Sequence, residues 1–223
     1  MSDNAYVVPF EQLGINDIEA VGGKNASLGE MISHLSSLGV SVPSGFATTA
    51  HAYREFFADN NLSEPIFELL DHLDVNDVVA LAEAGGNIRG LILAAPFSSQ
   101  FDEQLTAHYL EFSAENPEHT FAVRSSATAE DLPDASFAGQ QETFLNIQGL
   151  NEIKQAIKEV FASLFNDRAI AYRVHQGFDH RGVALSAGIQ SMVRSDLAAS
   201  GVIFTLDTES GFADSVLITS SYG

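Results

Sequence analysis

Residues 21–30 read VGGKNASLGE, which places two glycines and a lysine directly before a helical pattern. Apolar side chains then recur at helical spacing, at Leu28, Met31, Ile32, Leu35 and Leu38, and Gly39 predicts the end of that helix. The unpaired N–H groups and the positive dipole at a helix start favour a phosphate, and Lys24 adds a mobile cation. The segment is not a Walker A motif, because its glycine spacing and its ending differ from that pattern. Spacing alone favours the simpler interpretation, a glycine-rich helix entry with a solvated lysine.

A second candidate cation, Arg124, stands at the end of a predicted strand. Residues 120–124 alternate as a strand does, and residues 125–128 read SSAT. An arginine fork can grip phosphate oxygens, and neighbouring hydroxyl groups can donate further hydrogen bonds. A salt bridge at a strand end explains the same local pattern equally well. Gly139 ends the following loop of small residues and Thr143 opens the next predicted strand, so the two together would form a flexible cover over a phosphate.

The remaining pattern predicts a helical first half and a mixed second half. Further helices are predicted over residues 50–59, 64–72, 76–93 and 98–113, and one over residues 153–164 with a continuation over residues 167–175. Strands are predicted over residues 143–147, 185–193, 201–206 and 216–221, the last two joined as a hairpin. The alternation over residues 185–193 puts Gln190 and Arg194 on one strand face. His175 and His180 suit structural hydrogen bonds better than a metal site.

The composition is that of an acidic globular protein. The 223 residues include 30 acidic and 10 basic side chains, for a formal net charge of −20, and 45% are hydrophobic. Such a charge would repel a nucleic-acid backbone, so nucleic-acid binding is not expected. Without cysteine there is no disulfide framework and no thiolate metal site. No secretory pattern opens the chain and no uncharged apolar run reaches about 18 residues, so we expect a cytoplasmic protein with no membrane partner.

Three segments taken together resemble one enzyme family. They are residues 21–31, 121–143 and 187–195, and they are similar to the amino-terminal nucleotide-binding part of the phosphoenolpyruvate synthases. The broader family includes pyruvate phosphate dikinases and rifampicin phosphotransferases. The resemblance covers nearly the whole chain. It implies an α+β, ATP-grasp-like fold that holds ATP between two lobes, and a chain that stops before the end of that fold.

The resemblance also assigns site residues by position. It implies that Lys24 and Arg124 contact ATP phosphates, that Gly139 and Thr143 belong to a loop closing over the nucleotide, and that Gln190 lines the pocket. Arg194 is a weaker candidate. Mg²⁺ is the implied metal, with ligands mostly beyond the last residue of this sequence. No histidine here stands in the family's Thr-x-His phosphoacceptor context, so the chain is assigned no catalytic residue and the phosphoacceptor is expected downstream.

The implied domain organisation separates residues 1–113 plus 197–223, as a first helix-rich subdomain with returning strands, from residues 114–196 as a second. The phosphohistidine and pyruvate-binding domains would be absent. The full-length enzyme of the family converts ATP, pyruvate and water to AMP, phosphoenolpyruvate and phosphate through a phosphohistidine, so this chain alone is expected to lack complete activity. The implied partners are ATP and, in the whole enzyme, pyruvate and the phosphohistidine domain; a homodimer stays open.

Two alternatives share this nucleotide-binding pattern. The chain could belong to an ATP-binding domain of the rifampicin phosphotransferase type, or it could be a non-catalytic nucleotide-binding module. Residues 161–182 look more like the synthase than like the rifampicin enzyme, and the presence of both Lys24 and Arg124 argues against a non-catalytic module.

Overall fold

Residues 5–114, 119–128, 131–132, 135–136 and 142–223 are described by a computed structural model of the chain. The chain forms two compact units, Met1–Met192 and Val193–Gly223. The helices are α1 (Ile18–Leu35), α2 (Ala50–Asp59), α3 (Ser63–Asp71), α4 (Val78–Ala94), α5 (Ser99–Ser113), α6 (Leu150–Ser163) and α7 (Asp167–His175). The strands are β1 (Val7–Pro9), β2 (Gly45–Thr48), β3 (Thr120–Ala127), β4 (Asp131–Leu132), β5 (Ala135–Ser136), β6 (Thr143–Gln148), β7 (Leu185–Ser191), β8 (Ala199–Phe204) and β9 (Leu217–Tyr222). The α+β class is therefore confirmed.

Side-chain caps explain where several helices begin. Thr49 accepts a hydrogen bond from Ala52 N before α2, Asp77 accepts from two backbone N–H groups before α4, and Ser98 accepts from Phe101 N before α5. Each cap satisfies N–H groups that have no partner inside the helix. At the other end of α1, a short 3-10 turn ends at Gly39 in the left-handed conformation, with φ of 81°, which confirms the predicted stop signal.

The five-stranded sheet of the first unit has the order β1-β2-β7-β3-β6, and all its neighbouring strands are antiparallel. Successive residues of a strand point to opposite faces. In β1 and β2, accordingly, Val7 and Phe46 join one apolar core while Val8 and Ala47 join another. The sheet therefore has a packed layer on each face.

The larger core lies between one face of the sheet and helices α2–α7. Its strand residues include Phe121 and Val123 of β3 and Ile189 of β7, all 0% exposed. The smaller core consists of Val8, Phe10, Leu13, Val21, Ala26, Leu28 and Ala47. Because α1 supplies three members of the smaller core, α1 covers the opposite face of the sheet.

Two sequence predictions need correction. The helical continuation beyond Leu164 is interrupted, because α6 ends at Ser163 and a new helix begins after Asn166, whose carbonyl accepts from Ala169 N. Strand β7 ends at Ser191, so Arg194 does not share a strand face with Gln190. Arg194 instead precedes a short 3-10 helix in the second unit and pairs with Asp196 through two hydrogen bonds of 2.8 and 2.6 Å.

The second unit, Val193–Gly223, is built on the hairpin that the sequence predicts. Strands β8 and β9 pair antiparallel, with Ala199 opposite Tyr222 and Phe204 opposite Leu217. The connecting turn is closed by Asp207, which accepts from Glu209 N and from the Ser210 hydroxyl, and these bonds lower the pKa of the Asp207 carboxyl.

The predicted division of this chain into residues 1–113 plus 197–223 and residues 114–196 stays a prediction. Within the first unit, residues 1–113 supply β1 and β2 and residues 114–196 supply β3, β6 and β7, and these strands share one sheet. Among the described residues, no single helix is long and apolar enough to span a bilayer; α4 and α5 reach that length only as a pair bent by 77°.

Candidate functional site

Helix α1 is broken at Gly22, two residues before Lys24. Gly22 has φ of 75° and ψ of 163°, a conformation that favours glycine. A Cβ at this position would lie 2.6 Å from the carbonyl carbon of Ser126. The absence of a side chain at Gly22 therefore allows α1 to approach β3 closely. The main part of the helix therefore restarts at Gly23, which confirms the predicted glycine turn at a helix entry.

Lys24 lies over strand β3. Its Nζ donates to the carbonyl oxygen of Ser125 at 3.4 Å, and the N–H of the next residue, Asn25, donates to Ser126 Oγ at 3.3 Å. Ser126 thus acts as a cap, supplied from another element, for the restarted helix. These contacts bring Lys24 next to the strand segment that contains Arg124, 100 residues later in the sequence.

Arg124 lies in the middle of β3, and not at its end as the sequence pattern indicates. The strand continues through Ala127, because Ser125, Ser126 and Ala127 pair with residues of β7. Arg124 itself is opposite Thr143 of β6 and opposite Gly188 of β7. Directly opposed residues of an antiparallel pair project from the same face. Arg124, Thr143 and Gly188 therefore share the face that α1 covers.

Gln190 lies on that same face, two residues after Gly188 in β7. Its Nε2 donates to the carbonyl oxygen of Pro43 at 3.1 Å, which ties β7 to the segment before β2. The structure thus brings Lys24, Arg124, Thr143 and Gln190 to one side of the sheet. Gly139 lies outside the described residues.

Glu142 directly precedes Thr143, the first residue of β6, and connects this end of the strand to other elements. Its Oε1 accepts from Asn166 Nδ2 and from Arg168 Nη2, each at 3.1 Å, and its carbonyl accepts from Ser125 N at 3.4 Å. Glu142 therefore ties the start of β6 to β3 and to the first turn of α7. Sequence reasoning missed this residue, because its partners are 24 and 26 positions away.

Hydroxyl groups near Arg124 are engaged within the protein. Ser126 is fully buried under α1, and Thr128 Oγ1 donates to the carbonyl oxygen of Ala184 at 3.3 Å. The sequence pattern predicted that these hydroxyls would donate hydrogen bonds to a ligand. It did not identify the residues of the protein to which they are hydrogen-bonded instead. Asn25 is one of these: it is 0% exposed, and its side chain reaches Ser186 of β7. Its place directly after Lys24 was the available signal.

His180 makes the structural hydrogen bond that the sequence analysis favours. Its Nδ1 accepts from Arg173 Nε at 2.8 Å. Burial and the positive charge of Arg173 lower the pKa of His180 to about 4, and burial lowers the pKa of Arg173 to about 10. Over the described part of the chain, no group of three or more His, Asp or Glu side chains is placed to hold a metal ion.

The family model for the pyruvate phosphate dikinase AMP/ATP-binding domain matches residues 18–223. The chain belongs to this family. It is 60% identical over 226 residues to a phosphoenolpyruvate synthase of Escherichia coli (strain K12), an alignment that covers 100% of this chain and 28% of that enzyme. It is 62% identical over 218 residues to the phosphoenolpyruvate synthase of Pseudomonas aeruginosa, covering 98% of this chain and 28% of the relative.

A phosphoenolpyruvate synthase of Neisseria meningitidis is 62% identical over 225 residues, which cover 100% of this chain and 28% of that enzyme. The chain thus spans little more than a quarter of the length of these curated relatives, at their amino-terminal end. The resemblance to phosphoenolpyruvate synthases is confirmed, and these relatives do not favour the rifampicin phosphotransferase alternative.

Proposed function

We propose that this chain is the ATP-binding part of a phosphoenolpyruvate synthase. That enzyme would convert ATP, pyruvate and water to AMP, phosphoenolpyruvate and phosphate through a phosphohistidine carried on another domain. The observation that carries the proposal is the meeting of two distant segments, the restarted α1 with Lys24 and the strand with Arg124, through the bond from Lys24 Nζ to Ser125 O at 3.4 Å. It occurs in a chain that belongs to an AMP/ATP-binding domain family.

The two cations would do different work on a triphosphate. The planar guanidinium of Arg124 can bind two phosphate oxygens at once, whereas the Lys24 ammonium is a compact charge on a flexible stem. Phosphoryl transfer depends mainly on alignment and on stabilising negative charge. A chain with a net charge of −20 can still bind ATP, because the local field at the site decides the binding.

The finer assignments belong to the same proposal. Gly139 and Thr143 would form the loop that closes over the nucleotide, and Gln190 would line the pocket, in an ATP-grasp-like fold with ATP between two lobes. Mg²⁺ would neutralise phosphate charge when bound. Pyruvate, the phosphohistidine domain and a cytoplasmic location are proposed for the whole protein.

Substitution in the full-length enzyme tests the proposal. Lys24→Ala and Arg124→Ala should each slow ATP-dependent phosphorylation of the enzyme about 100-fold or more, because each removes a charge that contacts the transferring phosphates. The measurement is incorporation of label from β- or γ-labelled ATP into protein. The matched control is Arg181→Ala, since Arg181 is an exposed arginine that pairs with Asp71 at 2.6 Å, and it should change nothing.

Unchanged labelling in both folded variants would reject the assignment of these two cations. Labelling that falls in the Arg181 variant as well would mean that loss of any arginine on this domain impairs the enzyme. Labelling by ATP also separates the synthase from a non-catalytic nucleotide-binding module, which would bind ATP without becoming phosphorylated.

A further inference from the structure

Asn25 is a fully buried polar residue at the point where α1 restarts, 0% exposed. Its backbone N–H donates to Ser126 Oγ of β3 at 3.3 Å. Its side-chain Nδ2 donates in two directions, to the carbonyl oxygen of Val21 at 3.1 Å and to Ser186 Oγ of β7 at 2.8 Å. Asn25 therefore bridges both sides of the break at Gly22 and connects the helix to two strands.

The connection continues through the sheet. Ser186 Oγ donates to the carbonyl oxygen of Thr48 in β2, and Thr48 Oγ1 accepts from Ala187 N at 2.9 Å. Asn25, Ser126, Ser186 and Thr48 are all 0% exposed. Buried polar groups are costly without partners, and hydrogen bonds are directional, so such a network specifies one arrangement of α1 on β2, β3 and β7.

Steric contact fixes the same arrangement. A Cβ at Gly188 would overlap Asn25 Oδ1 and would lie 3.1 Å from Asn25 Cγ. The Asn25 side chain therefore rests directly on the backbone of Gly188. Gly188 is the register partner of Arg124. Asn25 is thus next to Lys24 in the chain and packs on the residue beside Arg124 in the sheet.

We infer that Asn25 is a positioning residue for the phosphate-binding groups. It sets the separation between the start of the main helix, with Lys24, and the strand position of Arg124. Asn25 is too deeply buried to contact the nucleotide, so it acts through these neighbours. The inference rests on the proposed function, and it adds the group that holds the two cations at a fixed spacing. A displacement of about 1 Å between such groups is enough to lower a rate about 100-fold.

The test is the ATP dependence of phosphorylation in the full-length enzyme. Asn25→Ala should raise the ATP concentration for half-maximal labelling about 10-fold or more, with a smaller fall in the rate at saturating ATP. The matched control is Thr49→Ala, because Thr49 is also buried, at 3% exposure, and its hydroxyl also makes two hydrogen bonds, with Ala5 O and Ala52 N. The control should lower the melting temperature and leave the ATP dependence unchanged.

A double-mutant cycle separates positioning from general stabilisation. If Asn25 acts through Lys24, Asn25→Ala should have little further effect in an enzyme that already carries Lys24→Ala. Independent, multiplicative effects of the two substitutions on the half-maximal ATP concentration would overturn the inference. So would an Asn25→Ala enzyme that is folded and behaves like the Thr49→Ala control.

A gentler variant covers the case in which Asn25→Ala does not fold. Ser186→Ala removes one acceptor of Asn25 Nδ2 and should raise the half-maximal ATP concentration about 3-fold; an unchanged value would overturn the inference. The outcomes also distinguish the two proposals. No effect of Lys24→Ala and Arg124→Ala would reject the proposed ATP site itself. A large effect of those two with none from Asn25→Ala or Ser186→Ala would reject the positioning role alone.

Discussion

The two faces of the five-stranded sheet are packed by different kinds of contact. On one face, Phe121, Val123 and Ile189 join a large apolar core under α2–α7. On the other face, α1 makes an apolar contact with β1 and β2 but meets β3 and β7 through Asn25 and its serine partners. The change from apolar to polar packing under a single helix occurs next to Lys24.

The two kinds of packing are expected to have different roles: one contributes to the stability of the fold, and the other fixes the position of α1 on the sheet. Apolar burial is non-directional and roughly proportional to area, so the large core supplies free energy and tolerates small shifts. Hydrogen bonds between buried groups fix direction as well as distance. We therefore expect substitutions in the large core to affect mainly the free energy of unfolding, and substitutions under α1 to affect mainly the site.

The largest effect on stability is expected from Phe161→Ala in the large core. Phe161 of α6 is 0% exposed and packs on the rings of Tyr53 and Phe56, at centroid distances of 5.1 and 5.7 Å. Its truncation should lower the free energy of unfolding by about 4 kcal/mol, measured by denaturant titration. Leu110→Ala, at a side chain 59% exposed, should change it by less than about 0.5 kcal/mol. Equal losses in the two variants would contradict the assigned core.

A smaller loss of stability with a larger effect on the site is expected from Gly188→Ala. The new methyl group would overlap Asn25 Oδ1, and moving α1 away should cost about 2 kcal/mol. The half-maximal ATP concentration of the full-length enzyme should rise with it. Gly86→Ala is the opposite control: Gly86 is on the exposed face of α4, nothing lies within 4 Å of its Cβ position, and alanine should stabilise the helix by up to about 1 kcal/mol. A Gly188 variant as stable as the wild type would contradict the close contact.

The smallest effect concerns Arg173 and His180, a buried cation and a neutral imidazole beside the large core. Arg173 is 0% exposed, its guanidinium lies over the Phe165 ring, and its Nη1 and Nη2 have no hydrogen-bond partner among the described residues. The Nε bond to His180 requires a neutral acceptor. The pKa of His180 falls from 6.5 to about 4 on folding, so the unfolded chain binds the proton first and stability should fall as the pH drops from about 6.5 to about 4.

Comparison with His180→Gln measures that contribution. Glutamine can accept the same hydrogen bond and does not titrate, so the variant should keep more of its stability than the wild type over this pH range. His180 is only partly buried, so solvent screens much of this effect, and we expect a difference of about 1 kcal/mol. The charged neighbours Asp71, Asp179 and Arg181 also act on His180, and they are unchanged in the variant. Parallel stability curves for the two proteins between pH 6.5 and 4 would show that His180 does not take up a proton preferentially on unfolding.

The local pattern of the sequence was enough to predict the helices and the hairpin. Helical spacing and Gly39 locate α1 and its end, and helix α2 has the predicted bounds, residues 50–59. These features depend on neighbours in the chain. The end of β3 could not be predicted in the same way, because Ser125–Ala127 become strand only by pairing with β7, about 60 residues later.

The sequence was enough to name the two candidate cations, but it was not enough to identify the residues that hold them in place. Glycine and hydroxyl neighbours single out Lys24 and Arg124, and the family resemblance gives them a role. Nothing local shows that Asn25 would be buried against Gly188, which is 163 positions away, because that contact depends on the strand order. Strand β7 ends at Ser191, so Arg194 does not lie on the strand face of Gln190, where the alternation alone had placed it.

The strand order has a consequence for the time at which this protein can fold. Strand β7, the last of the five in chain order, occupies the centre of the sheet, where it lies between β2 and β3. Until Leu185–Ser191 has left the ribosome, β1–β2 and β3–β6 are separate pairs, each with an unpaired edge facing the gap. Contacts of such long sequence separation form late and slowly. A nascent chain shorter than about 190 residues therefore has no completed sheet on which Lys24 and Arg124 can meet.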